Sequence, residues 1–366
     1  MTPVGVGLVG AGNISTQYLT NLATYPDVRV VAVGDLDAER AAAQAEAFGV
    51  PSHGGVDAVL THPDVEVVVN LTVPAAHVEL STRAVRAGRH VWSEKPLGLD
   101  RASARALLGE AAAAGVRVCC APDTVLGPGV QATLRALAAG EVGRPLAALA
   151  ILQGPGPDAW HPSPEFFYLA GGGPVFDMGP YYLTALVCGL GPVVEVVAGG
   201  GRARDQRPIL AGPRAGSLME VEVPTTANVL LRHADGASSV CLFSFDSGLA
   251  RSGVLEFQGV GGTIVAPDPN YFGGTVATHV GGELAREIDV DAAGRGRGIG
   301  VVDLVRSLAA GTPPRADGEL AFHVLDVMLA IEESIASGRP VGVDSVPPIP
   351  APLPVEWNPL VASSRT

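Results

Sequence analysis

Cysteine is scarce in this chain. The four residues Cys119, Cys120, Cys188 and Cys241 include one adjacent pair, and the others stand far apart. That pattern fits neither zinc-ligand spacing nor the disulfide framework of a small secreted domain. Basic residues are also few, 24 against 37 acidic ones, for a net charge of −13 and a pI near 5.0. Phosphate backbones are gripped by clustered Lys and Arg, so a nucleic-acid partner is not expected. Charged residues make up only 17% and form no blocks, which argues against a disordered region. No apolar run is long enough to span a bilayer. No basic stretch precedes a separate apolar one at the start, so neither a signal peptide nor a membrane partner is expected, and a cytoplasmic location is. His53, His62, His77, His90 and His161 have no paired spacing with Cys or acids, so no metal is expected.

What is present is apolar mass: 47% hydrophobic residues in 366, enough for a sizeable core and, at this length, two domains. The first third alternates short β-branched runs with helical spacing. "VGVGLVG" leads into the glycine turn Gly10-Ala11-Gly12, a helix starting near Asn13 and Ile14 follows, and a second run, "VRVVAVGD", ends on Asp35. This is the layout of a βαβ dinucleotide fingerprint. Gly10 permits the tight turn and Gly12 lets the backbone approach a pyrophosphate. The helix N-terminus supplies free N–H groups and partial positive charge. Ser15 takes the third fingerprint position. Asp35 would accept hydrogen bonds from ribose hydroxyls and repel a 2′-phosphate, so NAD is expected over NADP. The alternation continues to residue 122 and predicts a doubly wound parallel sheet, with ligands outside the carboxyl ends of its strands. Glu94-Lys95-Pro96, directly after "HVWS", stands at such an end.

From about residue 143 the pattern changes to longer β-like runs, with Asp235-Gly236 as a hairpin turn. A helix at 174–190 would cover one face of this sheet. Its other face must be covered too, most simply by another subunit. Helices are expected near 298–310 and 318–337, then the Pro-rich "VPPIPAPLPVEWNPL". The division read from sequence is 1–122, 123–340 and a Pro-rich tail, 341–366, packed on the body.

Gly10-Ala11-Gly12 with Asp35, then Glu94-Lys95-Pro96, then "GGGPVFDMGPYY" at 171–182 together resemble the glucose–fructose oxidoreductase and inositol dehydrogenase family (Gfo/Idh/MocA), in order and over nearly the whole chain. The resemblance implies a Rossmann domain followed by an α/β domain whose open, mainly antiparallel mixed sheet often forms a dimer face, hence a homodimer or homotetramer. It also implies a Lys95-Pro96 turn, often cis, that sets Lys95 beside nicotinamide and substrate. In many members the later motif is Asp-x-Gly-x-His. Here Asp177 and Gly179 match and Tyr181 takes the histidine position, as in the branch containing glucose–fructose oxidoreductase and dimeric dihydrodiol dehydrogenase. "TVPAAH" at 72–77 keeps Thr72 and His77 of a second motif and loses its asparagine; both count, with Glu94, as cofactor-site candidates.

Those residues suit oxidation of a secondary alcohol. A tyrosine of pKa about 10 is too little ionised to act well as a base, and a neighbouring ammonium favours its phenolate. Tyr181 as base, Lys95 as its electrostatic partner and as donor to the substrate oxygen, and Asp177 four residues before Tyr181 on the same helix face form the expected catalytic group. Asp177 could equally be a helix cap. Trp160, His161 and Tyr168, in the Pro-rich "DAWHPSPEFFY", suit stacking on a sugar, and packing in the core would account for them as well. The expected function is NAD-dependent hydride transfer with a sugar or cyclic polyol. The alternatives are redox-neutral chemistry on tightly held NAD and a non-catalytic NAD or sugar sensor.

Overall fold

The computed structural model describes residues 2–363. It contains two compact units. The first takes in the chain up to Gly127, then Ala292–Phe322, then the chain from Pro350 on; the second is Pro128–Asp291 with His323–Ile349. The contiguous division at 122 and 340 read from sequence therefore differs from these units. Apolar residues of a late helix complete the first core, a long-range match that local patterning does not reveal.

In the first unit, strands β1 (Val4–Val9), β2 (Val28–Gly34), β3 (Ser52–Gly54), β4 (Val67–Asn70), β5 (His90–Ser93) and β6 (Val118–Cys120) form one parallel sheet, in the order β3-β2-β1-β4-β5-β6. Helices α1 (Asn13–Leu22), α2 (Ala38–Phe48), α3 (Val56–Leu60), α4 (His77–Arg86) and α5 (Arg101–Ala114) connect these strands. The strands read as near-continuous Val runs because both faces are buried. Their core includes Val6, Leu8, Tyr18, Val67, Val69 and Trp92. It is closed by Val301, Val302, Leu304 and Val305 of α8 (Ile299–Ala310), which comes far later in the chain. Gly300 lies against Trp92 so closely that a Cβ there would enter the indole ring. The chain beyond Pro350 packs here as well: Arg306 lies over the Trp357 ring and donates to the Val361 carbonyl, and Ser363 donates to Asp27.

The second unit opens with α6 (Pro128–Ala138) and β7 (Pro145–Gln153), then α7 (Gly173–Leu190) and β8 (Val193–Gly201). A two-stranded hairpin follows, β9 (Gln206–Pro208) and β10 (Leu218–Glu220). Next come β11 (Thr226–His233), β12 (Ser238–Ser244), β13 (Arg251–Gly259), β14 (Gly262–Ala266), β15 (Gly274–Val280) and β16 (Glu283–Val290). Helix α9 (Gly318–Ser337) and the short β17 (Val341–Gly342) complete the elements. The nine-stranded sheet runs β16-β15-β14-β13-β7-β12-β11-β8-β17, antiparallel except where β7 pairs with β12. Gly236, at φ +86°, makes the Asp235-Gly236 turn between β11 and β12. Strand β11 alternates buried and exposed residues, as a sheet covered on one face must.

Candidate functional site

The order of the parallel sheet reverses between β1 and β4, and ligand crevices open at such a switch point, outside the carboxyl ends of the strands. Gly10 follows β1 with φ +101°, and a Cβ there would come within 2.8 Å of the Leu71 backbone, so only glycine fits. A Cβ on Gly12 would meet nothing within 4 Å, which leaves its backbone open to a phosphate. Gly12 caps α1 without a side chain and no acid occupies the first turn, so the N–H groups at exposed Asn13 and part-buried Ile14 begin a helix end suited to an anion. Ser15 is fully buried and its hydroxyl donates to the Gly12 carbonyl at 2.6 Å, which satisfies the small polar residue at the helix–sheet contact. Asp35, at the end of β2, accepts from the Ala11 N–H at 2.7 Å and the Asp37 N–H at 2.9 Å, with the Arg40 guanidinium 3.8 Å away. These residues fit the adenosine and pyrophosphate of a dinucleotide: an open glycine, an uncapped helix end and an acid fixed beside the turn.

Beyond β4, Asn70 organises the next two turns. Its fully buried amide donates to the His77 carbonyl and the Ser81 hydroxyl, and its oxygen accepts the Thr72 hydroxyl at 2.7 Å. Sequence reasoning missed Asn70, although a polar residue ending the apolar run "VVVN" was the available signal. His77, at the start of α4, is buried. One ring nitrogen lies 2.7 Å from the Pro96 carbonyl and the other 3.0 Å from that of Thr72. A neutral imidazole donates to only one of them. Burial lowers its pKa, against the pull of the two carbonyls. His77 thus ties the Thr72 turn to the Lys95–Pro96 peptide, which is cis.

Glu94 braces the turn. It accepts the Tyr18 hydroxyl at 2.8 Å and the Lys95 N–H at 3.1 Å, while Tyr18 accepts the Trp92 indole N–H at 3.0 Å. Burial, then the Glu94 charge, raises the Tyr18 pKa well above its ordinary value, so the phenol stays a donor. Nearby, buried Asp123 accepts from the Gly298 N–H at 2.6 Å and pairs with Arg297 at 3.2 Å. Lys95, half-buried, follows a strand end held from both sides. It is the only lysine in the sequence; every other Lys/Arg position is arginine. Arginine is never deprotonated in proteins and is a broad planar fork, whereas lysine is a compact charge whose pKa shifts readily. The one lysine stands at the carboxyl end of β5, while the remaining Lys/Arg positions are arginine.

In the second unit, α7 carries the other two candidates. Its N-cap is Gly172, so Asp177 lies more than a turn inside the helix and is not the cap. Asp177 is half-exposed and Tyr181, one turn on, is mostly buried on the same face. Pro180 between them cannot donate to the Phe176 carbonyl, which interrupts the helical ladder there. Tyr182 packs on Phe243 and its hydroxyl accepts the Gly253 N–H at 2.9 Å, which gives it a core role. In the segment before α7, Trp160 is 65% exposed and groups with His161, Phe166 and Phe167, His161 lying 5.4–5.5 Å from the other three ring centroids. Tyr168 does not belong to that exposed group. It is fully buried with Ile209, Met219, Val221 and Phe245, and donates its hydroxyl to Asp158. Among the described residues no group of three or more His, Cys, Asp or Glu is placed to hold a metal ion.

A glycine turn, an uncapped helix end and a fixed acid at the switch point of a parallel sheet define a Rossmann-class nucleotide-binding protein, here carrying a second, mixed-sheet unit. Residues 4–121 match the family model described as "Oxidoreductase family, NAD-binding Rossmann fold", and residues 130–265 match the GFO/IDH/MocA C-terminal domain. The chain belongs to the GFO/IDH/MocA oxidoreductase family. It is 33% identical to the 1,5-anhydro-D-fructose reductase of Ensifer adhaerens over 47% of this chain and 52% of that one, so the match spans about half the relative's length. It is 29% identical to the trans-1,2-dihydrobenzene-1,2-diol dehydrogenase of Mus musculus over 68% of this chain and 71% of that one. Among solved structures, apo levoglucosan dehydrogenase superposes with a TM-score of 0.83 at 20% identity, covering 95% of this chain and 100% of that one. An NAD-binding oxidoreductase from Klebsiella pneumoniae gives 0.81 at 23%, covering 94% and 99%. At these identities the solved structures establish the fold.

Proposed function

We propose that the chain is an NAD-dependent dehydrogenase that moves a hydride between a secondary hydroxyl carbon of a sugar or cyclic polyol and nicotinamide. The observation that carries this reading is the sole lysine, Lys95, just past the carboxyl end of β5 in the nucleotide-binding sheet. Support comes from relatives named as reductases and dehydrogenases of sugar-related compounds and of a dihydrodiol. Bound nicotinamide supplies the hydride acceptor. Tyr181 takes the hydroxyl proton as the carbonyl forms; Lys95 donates a hydrogen bond to the same oxygen and stabilises negative charge that develops on it. Asp177 accepts from a second substrate hydroxyl. Trp160 and His161 offer ring faces to the apolar side of a sugar ring. Asp35 favours NAD, since a 2′-phosphate would meet a fixed carboxylate.

We further propose a homodimer or homotetramer through the uncovered sheet face. Val197, Leu230 and Val240 are direct cross-strand neighbours on β8, β11 and β12, and Val240 pairs onward with Leu149 on β7. Leu230 and Val240 are 47% and 51% exposed, an apolar row of the kind that marks an association surface.

NADH formation across a panel of aldoses, inositols and sugar acids tests the reading, with NADP in parallel. An amine-reactive label should modify Lys95 besides the α-amino group, and NADH with substrate should exclude it from Lys95 alone. Turnover with NAD that vanishes on labelling supports the dehydrogenase. Binding of NAD without turnover or exchange would instead favour redox-neutral chemistry on held cofactor.

A further inference from the structure

Arg207 is the most buried cation of the second unit's loop region, 5% exposed, and the function described so far does not use it. Its Nε and Nη2 lie 3.2 and 3.1 Å from the two carboxylate oxygens of Asp158. Nη1 donates to Asp246 at 2.7 Å and Nη2 also donates to the Pro155 carbonyl at 2.5 Å. The guanidinium carbon lies 5.2 Å from the centre of the Tyr168 ring, and Tyr168 donates to Asp158 from the other side. Asp246 is held in turn by the hydroxyls of Thr225 and Thr226. One planar fork thus joins three stretches distant in sequence: the segment 154–172, the β9–β10 hairpin and the end of β12.

Other contacts follow the same seam. The Leu210 N–H donates to the Asp158 carbonyl at 3.0 Å, the Glu222 N–H to that of Tyr168 at 2.8 Å, and Arg214 pairs with Glu165. Gly156, at φ +99°, allows the approach, since a Cβ there would stand 2.6 Å from an Asp158 oxygen.

Two features separate this from a plain structural tie. A buried ion network is a costly way to hold a loop that apolar packing would hold as well or better, so its value lies in geometry. The segment it holds also keeps large rings in solvent, Trp160 at 65% and Phe166 at 53%, and it runs directly into Gly172, the N-cap of the helix bearing Asp177 and Tyr181. The fork therefore sets where the ring faces stand relative to those two side chains.

We propose that Arg207 is a positioning residue: its fork on Asp158 and Asp246 fixes segment 154–172 in the form that takes up the substrate ring. This rests on the dehydrogenase reading. The test compares wild type, Arg207→Lys and Arg207→Met in the full chain. KM and kcat are measured for the best compound on the panel, NADH affinity by fluorescence, and backbone hydrogen exchange by mass spectrometry. Arg207→Met should raise KM about 10- to 100-fold, as loss of a remote positioning contact does. kcat at saturation and NADH affinity should be unchanged, with faster exchange confined to 154–172 and the hairpin. Arg207→Lys, which keeps the charge and loses the fork, should fall between, and it decides the matter if the methionine variant does not fold. Unchanged KM, or a joint loss of NADH affinity, kcat and exchange protection everywhere, would overturn the proposal. If wild type turns over nothing on the panel, the dehydrogenase reading fails on its own. Exchange then tests the fork apart from substrate: faster exchange confined to 154–172 and the hairpin upholds Arg207 as the residue that fixes this segment, and unchanged exchange overturns it.

Discussion

Tyr18 donates its hydroxyl to Glu94 at 2.8 Å while accepting the indole N–H of Trp92, so a residue of the first helix sets the strand end that presents Lys95. Glu94 passes the constraint on by accepting the Lys95 N–H. Tyr18→Phe removes a buried hydrogen bond to a charged group and leaves the indole N–H unpaired. It should cost about 1–3 kcal/mol of unfolding free energy in a urea titration.

Replacing Lys95 with arginine keeps a positive charge in a chain that otherwise uses arginine throughout. If the compact ammonium is what the reaction needs, Lys95→Arg should fail nearly as badly as Lys95→Ala. The drop in kcat should be about 10²–10³-fold, the scale for loss of one charge-stabilising donor. Steady-state rates with NAD at saturation check this. Near wild-type activity in the arginine variant would remove Lys95 from that role.

At the other end of the crevice, Asp35→Ser should shift preference toward NADP. Removing a fixed carboxylate relieves a like-charge contact that costs several kcal/mol, and Arg40, 3.8 Å from that carboxylate, becomes a counter-charge for a 2′-phosphate. The ratio of kcat/KM for the two cofactors should move by about tenfold or more toward NADP. An unmoved ratio would show that selection lies elsewhere.

Acid should act on the fold through two groups of opposite sign. His323, fully buried, accepts the Val193 N–H at 3.0 Å, and burial lowers its pKa from 6.5 to about 4. The unfolded state then binds the extra proton first, so stability falls as pH drops from 6.5 toward 4, by about 3 kcal/mol at most. Asp123 is pushed up to about 6 by burial, with Arg297 opposing and Glu94 adding. Between pH 3.8 and 6 its unfolded form releases the proton first, so stability falls as pH rises. Asp123→Asn should therefore steepen the acid loss of Tm between pH 6.5 and 4, and His323→Asn should flatten it.

On the sheet face, Leu230→Asp places a carboxylate between Val197 and Val240. Light scattering after size exclusion should show the wild type as an oligomer and the variant as a monomer with its Tm little changed.

Much of this was legible because period and turn chemistry are local. The βαβ fingerprint, the hairpin at Asp235-Gly236 and both late helices follow from spacing alone. Gly10 makes the tight turn its position suggested, at φ +101°. Partners distant in sequence were not legible. His77 stood among the cofactor-site candidates, and its burial between two carbonyls was not legible, because those carbonyls come from turns after two different strands. Tyr168 read as a ring for a sugar and is a core residue, since Asp158 and Arg207 reach it through tertiary folding. Glu94 stood among cofactor candidates, and the structure shows its carboxylate holding the turn.

The helix that closes the nucleotide-binding core, with Gly300 against Trp92 and Val301, Val302, Leu304 and Val305 behind the sheet, begins at Ile299, long after the last parallel strand ends at Cys120. Chains emerge from the ribosome N-terminus first. The nucleotide-binding unit is thus the first to begin folding and cannot finish until the mixed sheet has been synthesised. In the interval Trp92 has no cover on that side. A fragment ending at Gly127 would lack α8 and leave that side of the sheet bare.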